Sequence, residues 1–258
     1  MSNNLHLIVK QHEGGFFSNF NKIVTFLSEC TDEIVKISWN LQGQPYGAFA
    51  YDCGEVFGKV FNNFTTAKSI DKVNELVTYS NFTYTGKNVH DVYTSNDLSW
   101  RHSFNSCLCY FNLTNIASDL LNQLTKQMQN KKIISVLKRN ELLKCEQINN
   151  RLPTLDTYFK QIDCLYDNST YLYLSVDNVN DLNAFISRYG KCIYNPKMRR
   201  SNFNTDTEPH FTPGTYLDAI YTYMEVVALS RGSHFIHPIS NMATSVLYHN
   251  PYITSIYI

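Results

Sequence analysis

From residue 113 to its end, the sequence alternates segments of helical periodicity with short apolar runs. The first helical segment is the clearest, because its apolar residues recur with the i, i+3, i+4, i+7 spacing of an amphipathic helix: Leu113, Ile116, Ala117, Leu120, Leu121, Leu124 and Met128. Strand-like apolar runs follow at 132–138, 171–175, 191–194 and 234–237, and further helical segments at 179–189, 215–231 and 241–248. Such alternation requires parallel strands joined by helical crossovers, which is the doubly wound α/β class.

The N-terminal part of the chain begins in the same way. An apolar run at 5–10 predicts a strand, and the paired glycines Gly14 and Gly15 predict a turn because glycine tolerates positive φ. Ser18 or Asn19 can cap an amphipathic helix that runs to about residue 29, and the apolar run at 34–41 predicts a second strand.

The segment at about 68–110 has weak periodicity, so short strands and a long loop are expected there. Strand–helix alternation on both sides of this segment predicts two Rossmann-like lobes, residues 1–110 and residues 111–258. In such a fold the site lies in the cleft between the lobes, at the carboxyl ends of the strands.

Composition narrows the class of ligand. The chain has 258 residues, 43% of them hydrophobic, with 22 basic and 22 acidic residues. A net charge of zero argues against a nucleic-acid-binding protein, which normally carries a basic surface, but leaves room for a small anionic ligand. The N-terminal residues show no apolar signal sequence, and no run approaches about 18 apolar residues, so a soluble, cytoplasmic protein without a transmembrane segment is expected.

Two candidate site residues follow adjacent strand-like runs. Arg139 ends the run at 132–138, and a guanidinium at a strand's carboxyl end can bind a diphosphate through two hydrogen bonds. The alternative for Arg139 is a solvated side chain at a strand exit. Asp177 lies two residues after the run at 171–175 and is a candidate ligand-binding residue. The alternative is that Asp177 or Asn178 only caps the next helix.

A third candidate is the elbow, residues 238–241, between the strand that ends at His237 and the helix that follows. Ser240 and Asn241 lie where free backbone N–H groups and the positive end of the helix dipole favour a phosphate. The alternative is that Ser240 only caps its helix. Glu225, on the preceding helix, is expected to face the same cleft and to bond a ribose or sugar hydroxyl or to organise the elbow. A phosphate at this elbow suggests a nucleotide or nucleotide-sugar site, and His237 completes the residues predicted to bind such a ligand.

The segment that contains Asp206, Glu208 and His210 has the residue types of a metal site, but it is polar and lacks flanking strands, which favours a solvated loop and no metal. The sequence has no G-x-x-x-x-G-K-[ST], G-x-G-x-x-G or G-x-S-x-G motif. Kinase-like, classical dehydrogenase and α/β-hydrolase functions therefore lose their main support.

Taken together, these motifs resemble the GDP-fucose-dependent fucosyltransferases, particularly the nodulation-type α-1,6 and the α-1,2 branches. The run 136–140 is similar to the family's Val-His-x-Arg-Arg, with Arg139 matching the first Arg, Leu137 in place of His and Asn140 in place of the second Arg. The run 175–177 resembles the family's Ser-Asp-Asp, and 225–232 its Asp-Ala-Leu-x-Leu-Ser-x-Cys helix. Ser240-Asn241 resembles the donor elbow, and Gly14-Gly15 with Asn19 the N-terminal loop near the cleft.

The resemblance implies a GT-B fold, with 1–110 as the acceptor-side lobe and 111–258 as the nucleotide-sugar-binding lobe. It implies an inverting glycosyltransferase that needs no metal or other cofactor, uses a GDP-sugar rather than a UDP-sugar, and transfers fucose or a related sugar to a glycan hydroxyl. Arg139 would contact the donor diphosphate. Glu13 or His12, on the loop after the first strand, is a candidate general base, although both can be ordinary turn residues. A non-catalytic nucleotide- or glycan-binding protein, or an unrelated α/β enzyme, are the alternatives.

Overall fold

The computed structural model describes residues 3–10, 16–40, 57–62, 70–77, 93, 98–139, 153–198, 200 and 216–258. These ranges form two sheets, and every strand pairs with its neighbours in parallel. The two-sheet α/β architecture expected from the strand–helix alternation is therefore confirmed. None of the helices in these ranges is both long and apolar enough to cross a bilayer.

The N-terminal sheet has the strand order β2-β1-β3. Its strands are β1 (Asn4–Lys10), β2 (Glu33–Asn40) and β3 (Lys72–Val77), and its helices are α1 (Phe16–Glu29) and the short α2 (Phe57–Val60). Leu5, Leu7 and Val9 alternate along β1 and are all buried, which is the pattern of a strand packed on one face. The helix α1 begins at Phe16, so Ser18 and Asn19 lie inside its first turn, and the prediction that one of them caps the helix is wrong.

The segment between the sheets contains a helix that weak periodicity did not predict. It comprises α3 (Ser99–Ser106), a 3₁₀ turn (Cys107–Tyr110) and then α4 (Asn115–Lys126). The expectation of only short strands and a loop at 68–110 is wrong at α3, where Arg101 and Phe104 are buried. The helix α4 matches its prediction, and the Thr114 hydroxyl caps it by accepting the Ala117 N–H at 3.4 Å.

The C-terminal sheet has the order β6-β5-β4-β7-β8. Its strands are β4 (Lys132–Lys138), β5 (Thr170–Val176), β6 (Cys192–Ile193), β7 (His234–His237) and β8 (Thr254–Tyr257). Its helices are α5 (Leu155–Asp163), α6 (Val179–Tyr189), α7 (Tyr216–Leu229) and α8 (Asn241–His249). The chain runs outward from β4 to β6 and then returns to β7 on the other side of β4. The topological switch point, where doubly wound sheets bind ligands, is therefore between β4 and β7.

A continuous aromatic core joins the two sheets. Phe20 of α1 lies 5.7 Å from Tyr223 of α7 and 6.3 Å from His249 of α8, measured between ring centroids. Phe61, just after α2, approaches Tyr223 to 4.8 Å. A second apolar cluster, which includes Tyr158 and Phe185, packs α5 and α6 against the C-terminal sheet. The lobe boundary near residue 110 stays a prediction.

Candidate functional site

The candidate site is the carboxyl edge of the C-terminal sheet at its switch point. Arg139 directly follows β4, Asp177 directly follows β5, and Ser240 lies three residues after the end of β7. Because β4 pairs in parallel with both β5 and β7, all three residues emerge at the same edge. The fold thus places at one edge three residues that the sequence had singled out from separate motifs.

Arg139 and Asp177 form an ion pair across this edge. Arg139 Nη1 donates to Asp177 Oδ1 at 3.4 Å, and Arg139 Nε lies 3.3 Å from Asp177 Oδ2 without being aligned for a hydrogen bond. The Arg139 and Asp177 side chains are 14% and 18% exposed. The guanidinium is therefore held in place by a carboxylate and is only partly exposed, which differs from a freely solvated arginine.

The cap of α6 is Asn178 and not Asp177. Asn178 Oδ1 accepts hydrogen bonds from the backbone N–H groups of Asn180 at 2.7 Å and Asp181 at 3.4 Å. Of the two alternatives that the sequence left for this segment, capping thus belongs to Asn178. The Asp177 carboxylate is directed to Arg139 instead.

A buried ion pair lies beside Arg139, and the sequence did not indicate it. Lys138, the last residue of β4, has a side chain only 2% exposed, and its Nζ lies 2.9 Å from Asp181 Oδ2 on α6. Successive strand residues point to opposite faces, so Lys138 and Arg139 serve different faces of the sheet. The available signal was a lysine that ends an apolar strand, together with Asp181 in the first turn of the helix that follows the adjacent strand β5.

The elbow combines a capped helix with open backbone donors. Ser240 is extended, with φ −165° and ψ 155°, and its Oγ accepts the Ala243 N–H at 2.9 Å. The Thr244 N–H donates to the Ser240 carbonyl oxygen at 3.1 Å. Within the described ranges, the N–H groups of Asn241 and Met242 donate to no acceptor. Ser240 is therefore a cap, and the first turn of α8 also keeps two N–H groups for an anion.

Glu225 lies inside the lobe and does not reach the surface of the site. Its side chain is fully buried, and the Tyr173 hydroxyl on β5 donates to Glu225 Oε1 at 3.0 Å. Burial raises the pKa of Glu225 to about 7, although Ser175, Arg200, Tyr173 and Asn195 act in the opposite direction. Glu225 Oε2 has no aligned hydrogen bond in the described part of the chain.

Two neighbours of Glu225, Asn195 and Arg200, were not found from the sequence. Asn195 is buried just after β6, and Arg200 Nη1 donates to the carbonyl oxygens of Asn195 at 3.0 Å and Met198 at 3.2 Å. Their backbone contacts hold the turn that follows β6 at the same carboxyl edge. Nothing in the local pattern of residues 195–200 distinguishes this turn from a solvated loop.

His237 is enclosed by its own sheet. Its Nδ1–H donates to the Pro238 carbonyl oxygen at 3.0 Å, and its Nε2 accepts from Ser255 Oγ at 2.8 Å. The ring stacks on Phe235 with 4.4 Å between centroids. Burial lowers the pKa of His237 to about 4. The neutral imidazole thus has both nitrogens in use beneath the elbow, and a direct role in donor binding stays a prediction.

The remaining predicted residues divide between the buried core and segments outside the description. Asn19 is buried in α1. The loop residues His12, Glu13, Gly14 and Gly15, and the Asp206, Glu208 and His210 group, lie outside the described residues. Within the described ranges, no three His, Cys, Asp or Glu side chains are grouped as a metal site would require.

Two parallel Rossmann-like sheets, with an arginine and a helix start at the switch point of the second, define a GT-B-like α/β fold. The chain is similar in structure to the fucosyltransferase NodZ from Bradyrhizobium, with a TM-score of 0.54 and 11% identity over 96% of this chain and 92% of that one. The structure of a NodZ α-1,6-fucosyltransferase soaked with GDP-fucose matches with a TM-score of 0.54 and 12% sequence identity, over 97% of this chain and 94% of that one. The structure of POFUT1 in complex with GDP matches with a TM-score of 0.52 and 9% sequence identity, over 100% of this chain and 98% of that one.

These likenesses extend over nearly the whole length of both chains in each pair. The fucosyltransferase-like GT-B fold that the sequence motifs implied is therefore confirmed. No protein-family model matches the chain, and no curated protein matches it in sequence.

Proposed function

We propose that the protein is a glycosyltransferase that moves fucose or a related sugar from a nucleoside diphosphate donor to a glycan hydroxyl. The observation that carries the proposal is that a partly exposed Arg139 and the first N–H groups of α8, Asn241 and Met242, lie at the same β4–β7 switch point. The structural neighbours include a protein soaked with GDP-fucose and one in complex with GDP, which supports a GDP-sugar as the donor.

The chemistry follows from where charge develops. In an inverting transfer, the acceptor hydroxyl attacks the anomeric carbon, a base takes its proton, and the bond to the diphosphate breaks. The departing diphosphate gains negative charge, which Arg139 would stabilise together with the Asn241 and Met242 N–H groups. Because these groups supply the positive charge, we propose that transfer requires no metal. Glu13 and His12 remain the candidate bases.

Asp177 and Glu225 would act around this anion site in different ways. The Asp177 carboxylate orients the Arg139 guanidinium through the contacts at 3.3 and 3.4 Å, so we assign it a positioning role. Glu225 is covered by its surroundings and bonded to Tyr173, so we assign it the organisation of the strand ends of β5 and β6 beside the donor. Direct contact with a ribose hydroxyl, the other predicted role of Glu225, would need these surroundings to open.

One observation favours the alternative of a non-catalytic nucleotide-binding protein. Leu137 stands in β4 where the related motif has His, and its side chain is fully buried. A protein that binds a nucleotide through Arg139 and the elbow, but lacks a group needed for turnover, would have the same fold. Turnover measurements separate the two functions.

The deciding experiment is a donor panel with GDP-fucose, GDP-mannose and UDP-sugars, in which nucleotide release and transfer to a glycan array are measured with and without EDTA. We expect GDP-sugar turnover that persists in EDTA. Arg139→Ala should lower it by about 10²- to 10³-fold, the usual loss for one charge-stabilising donor. The control is Arg188→Ala, which removes an exposed arginine paired with Asp163 at the far end of α6. GDP binding without turnover would favour the alternative, and equal activity of Arg139→Ala and Arg188→Ala would remove Arg139 from the site.

A further inference from the structure

Tyr93, from the N-terminal half of the chain, reaches the elbow of the C-terminal half. Its hydroxyl donates to the Ser240 carbonyl oxygen at 2.8 Å, and its oxygen lies 3.3 Å from the Ser240 N–H, which donates to it. The same hydroxyl lies 2.8 Å from Thr244 Oγ1. One side chain therefore holds both backbone groups of Ser240 and the first turn of α8.

The surroundings of Tyr93 fix its ring firmly. The side chain is 5% exposed, stacks on Tyr257 of β8 at 5.5 Å with 19° between planes, and meets the His237 ring edge-on at 4.9 Å. Burial raises the pKa of Tyr93 to about 12, so the hydroxyl keeps the proton that it donates. A rigid, neutral hydrogen-bond donor thus lies against the elbow.

The position of the Ser240 peptide groups determines where the next N–H groups point. Ser240 is extended and Asn241 opens the helix, so a rotation at Ser240 would redirect the Asn241 and Met242 N–H groups. We infer that Tyr93 is a positioning residue of the donor site, which holds the elbow so that these two N–H groups converge on the donor diphosphate. The inference rests on the proposed function and extends it to a residue of the opposite lobe.

A second contact from the N-terminal half fixes the other side of the same helix turn. Asn21 Nδ2 of α1 donates to the Asn241 carbonyl oxygen at 2.8 Å, and Ser245 Oγ donates to Asn21 Oδ1 at 2.5 Å. Asn21 and Ser245 are both completely buried. The start of α8 is thus held by two residues that are distant in sequence. Tyr93 is 147 positions from Ser240, and Asn21 is 220 positions from Asn241. Such bracing is what a preorganised anion site requires.

The test compares Tyr93→Phe with Tyr223→Phe. Tyr93→Phe keeps the packed ring and removes only the hydroxyl that holds Ser240. Tyr223→Phe is the matched control, because its buried hydroxyl bonds His249 Nε2 at 2.8 Å in the aromatic core and does not touch the elbow. GDP affinity is measured by calorimetry, donor KM and kcat by nucleotide release, and backbone exchange at residues 241–244 by hydrogen–deuterium exchange.

We expect Tyr93→Phe to raise the GDP Kd and the donor KM about 3- to 10-fold, as the loss of one or two positioning hydrogen bonds implies, with a smaller change in kcat. Exchange at 241–244 should accelerate in this variant alone. Tyr223→Phe should lower the melting temperature while its GDP Kd stays within about twofold of wild type, because no group at the elbow changes.

Equal GDP affinity of wild type and Tyr93→Phe, or an equal weakening in Tyr223→Phe, would overturn the inference and leave the proposed function standing. If the wild-type protein binds no nucleotide of the panel, the proposed function fails and the inference fails with it. Should Tyr93→Phe not fold, Thr244→Val keeps the side-chain shape and removes the contact between the Tyr93 hydroxyl and Thr244 Oγ1, together with the 3.2 Å hydrogen bond that Thr244 Oγ1 donates to the Ser240 carbonyl oxygen. It should then raise the GDP Kd by about 2- to 3-fold, and an unchanged Kd would overturn the inference.

Discussion

At the scale of single residues, burial favours the neutral form of three ionisable groups in the C-terminal half: Glu225 and His237, which are fully buried, and His249, which is half-buried. Burial raises the pKa of the Glu225 carboxyl to about 7, and it lowers the pKa of the His237 and His249 imidazoles to about 4. Each group favours its neutral form because protein atoms replace much or all of the water around it. Their protonation therefore links folding to pH.

The sign of each contribution follows from which state binds the proton. Between pH 4.5 and 7 the folded protein keeps a proton on Glu225 that the unfolded chain loses, so this group's contribution to stability falls as pH rises. Between pH 6.5 and 4 the unfolded chain binds protons that His237 and His249 do not bind in the folded protein, so the contribution of these histidines to stability falls as pH falls. From pH 4.5 to 6.5 the combined effect of the two histidines on the pH dependence of stability is larger than the opposite effect of Glu225.

We therefore predict that the free energy of unfolding rises with pH in this window, by about 1.4 kcal/mol per pH unit for one net proton. Glu225→Gln removes the opposing proton and should roughly double that slope to about 2.7 kcal/mol per pH unit. Urea unfolding at pH 5.0, 5.5 and 6.0 measures both slopes. The control is Glu29→Gln on the exposed end of α1, which makes the same chemical change at the surface. Identical slopes in wild type and Glu225→Gln would contradict burial of a protonated Glu225.

At the scale of elements, the atoms of the elbow that stabilise α8 differ from the atoms that we propose for anion binding. The Ser240 side chain is committed to the Ala243 N–H, whereas the groups left for an anion are the backbone donors of Asn241 and Met242. Stability and nucleotide binding should therefore separate when only the side chain is changed.

A pair of substitutions at Ser240 tests this separation. Ser240→Ala removes the cap and should lower the free energy of unfolding by about 1 kcal/mol, with GDP affinity kept within about threefold. Ser240→Asp keeps a capping side chain and should leave stability close to wild type, but its carboxylate would repel a diphosphate bound at the same turn. Its GDP Kd should rise by at least about tenfold. If Ser240→Asp binds GDP as well as wild type does, the phosphate does not dock at α8.

Several elements could be predicted from the sequence because their patterns are local. The strands β4 and β7 and the helix α6 have the predicted bounds, since each combines a clear apolar period with polar residues at its ends. The short helix α3 was missed because two of its buried residues are Arg101 and Phe104, and Arg101 reads as a surface residue. Its guanidinium is instead buried against the Pro251 carbonyl oxygen at 3.3 Å, a partner 150 residues away.

The site residues also divide into those that a local sequence pattern indicates and those that depend on distant contacts. Arg139, Asp177 and Ser240 could be found because each follows an apolar strand at the edge where ligands bind. Tyr93 and Asn21 could not, because the sequence shows nothing of contacts made across the molecule. The burial of Glu225 likewise depends on Tyr173, which lies on another strand. Helical spacing placed Glu225 on α7 but did not indicate which side of the helix faces the sheet.

At the scale of the whole molecule, the two lobes are not independent packing units. The aromatic core that contains Phe20, Phe111, Tyr223 and His249 draws on the N-terminal sheet's helix, the connecting segment and the last two helices. Asn21 and Tyr93 add buried polar contacts between the same halves. Separation of the lobes would expose this core and leave those polar groups without partners, which costs far more than either sheet alone can offset.

We therefore predict that the chain unfolds as one cooperative unit, and Phe20→Ala tests it. Phe20 is completely buried in α1, and its ring lies 4.7 Å from Phe111 and 5.7 Å from Tyr223. Its truncation should cost about 3–5 kcal/mol, the usual loss for a buried phenylalanine. If the core is shared, slow amide exchange in β1 and in β4 should accelerate by the same factor, since both strands then exchange through the same global opening. Ile162→Ala, in the second cluster on the far face of the C-terminal sheet, provides the comparison and should also accelerate both strands. Faster exchange in β1 with β4 unchanged after Phe20→Ala would show that the N-terminal lobe opens by itself, and the contacts of Tyr93 and Asn21 would then break and reform with that opening.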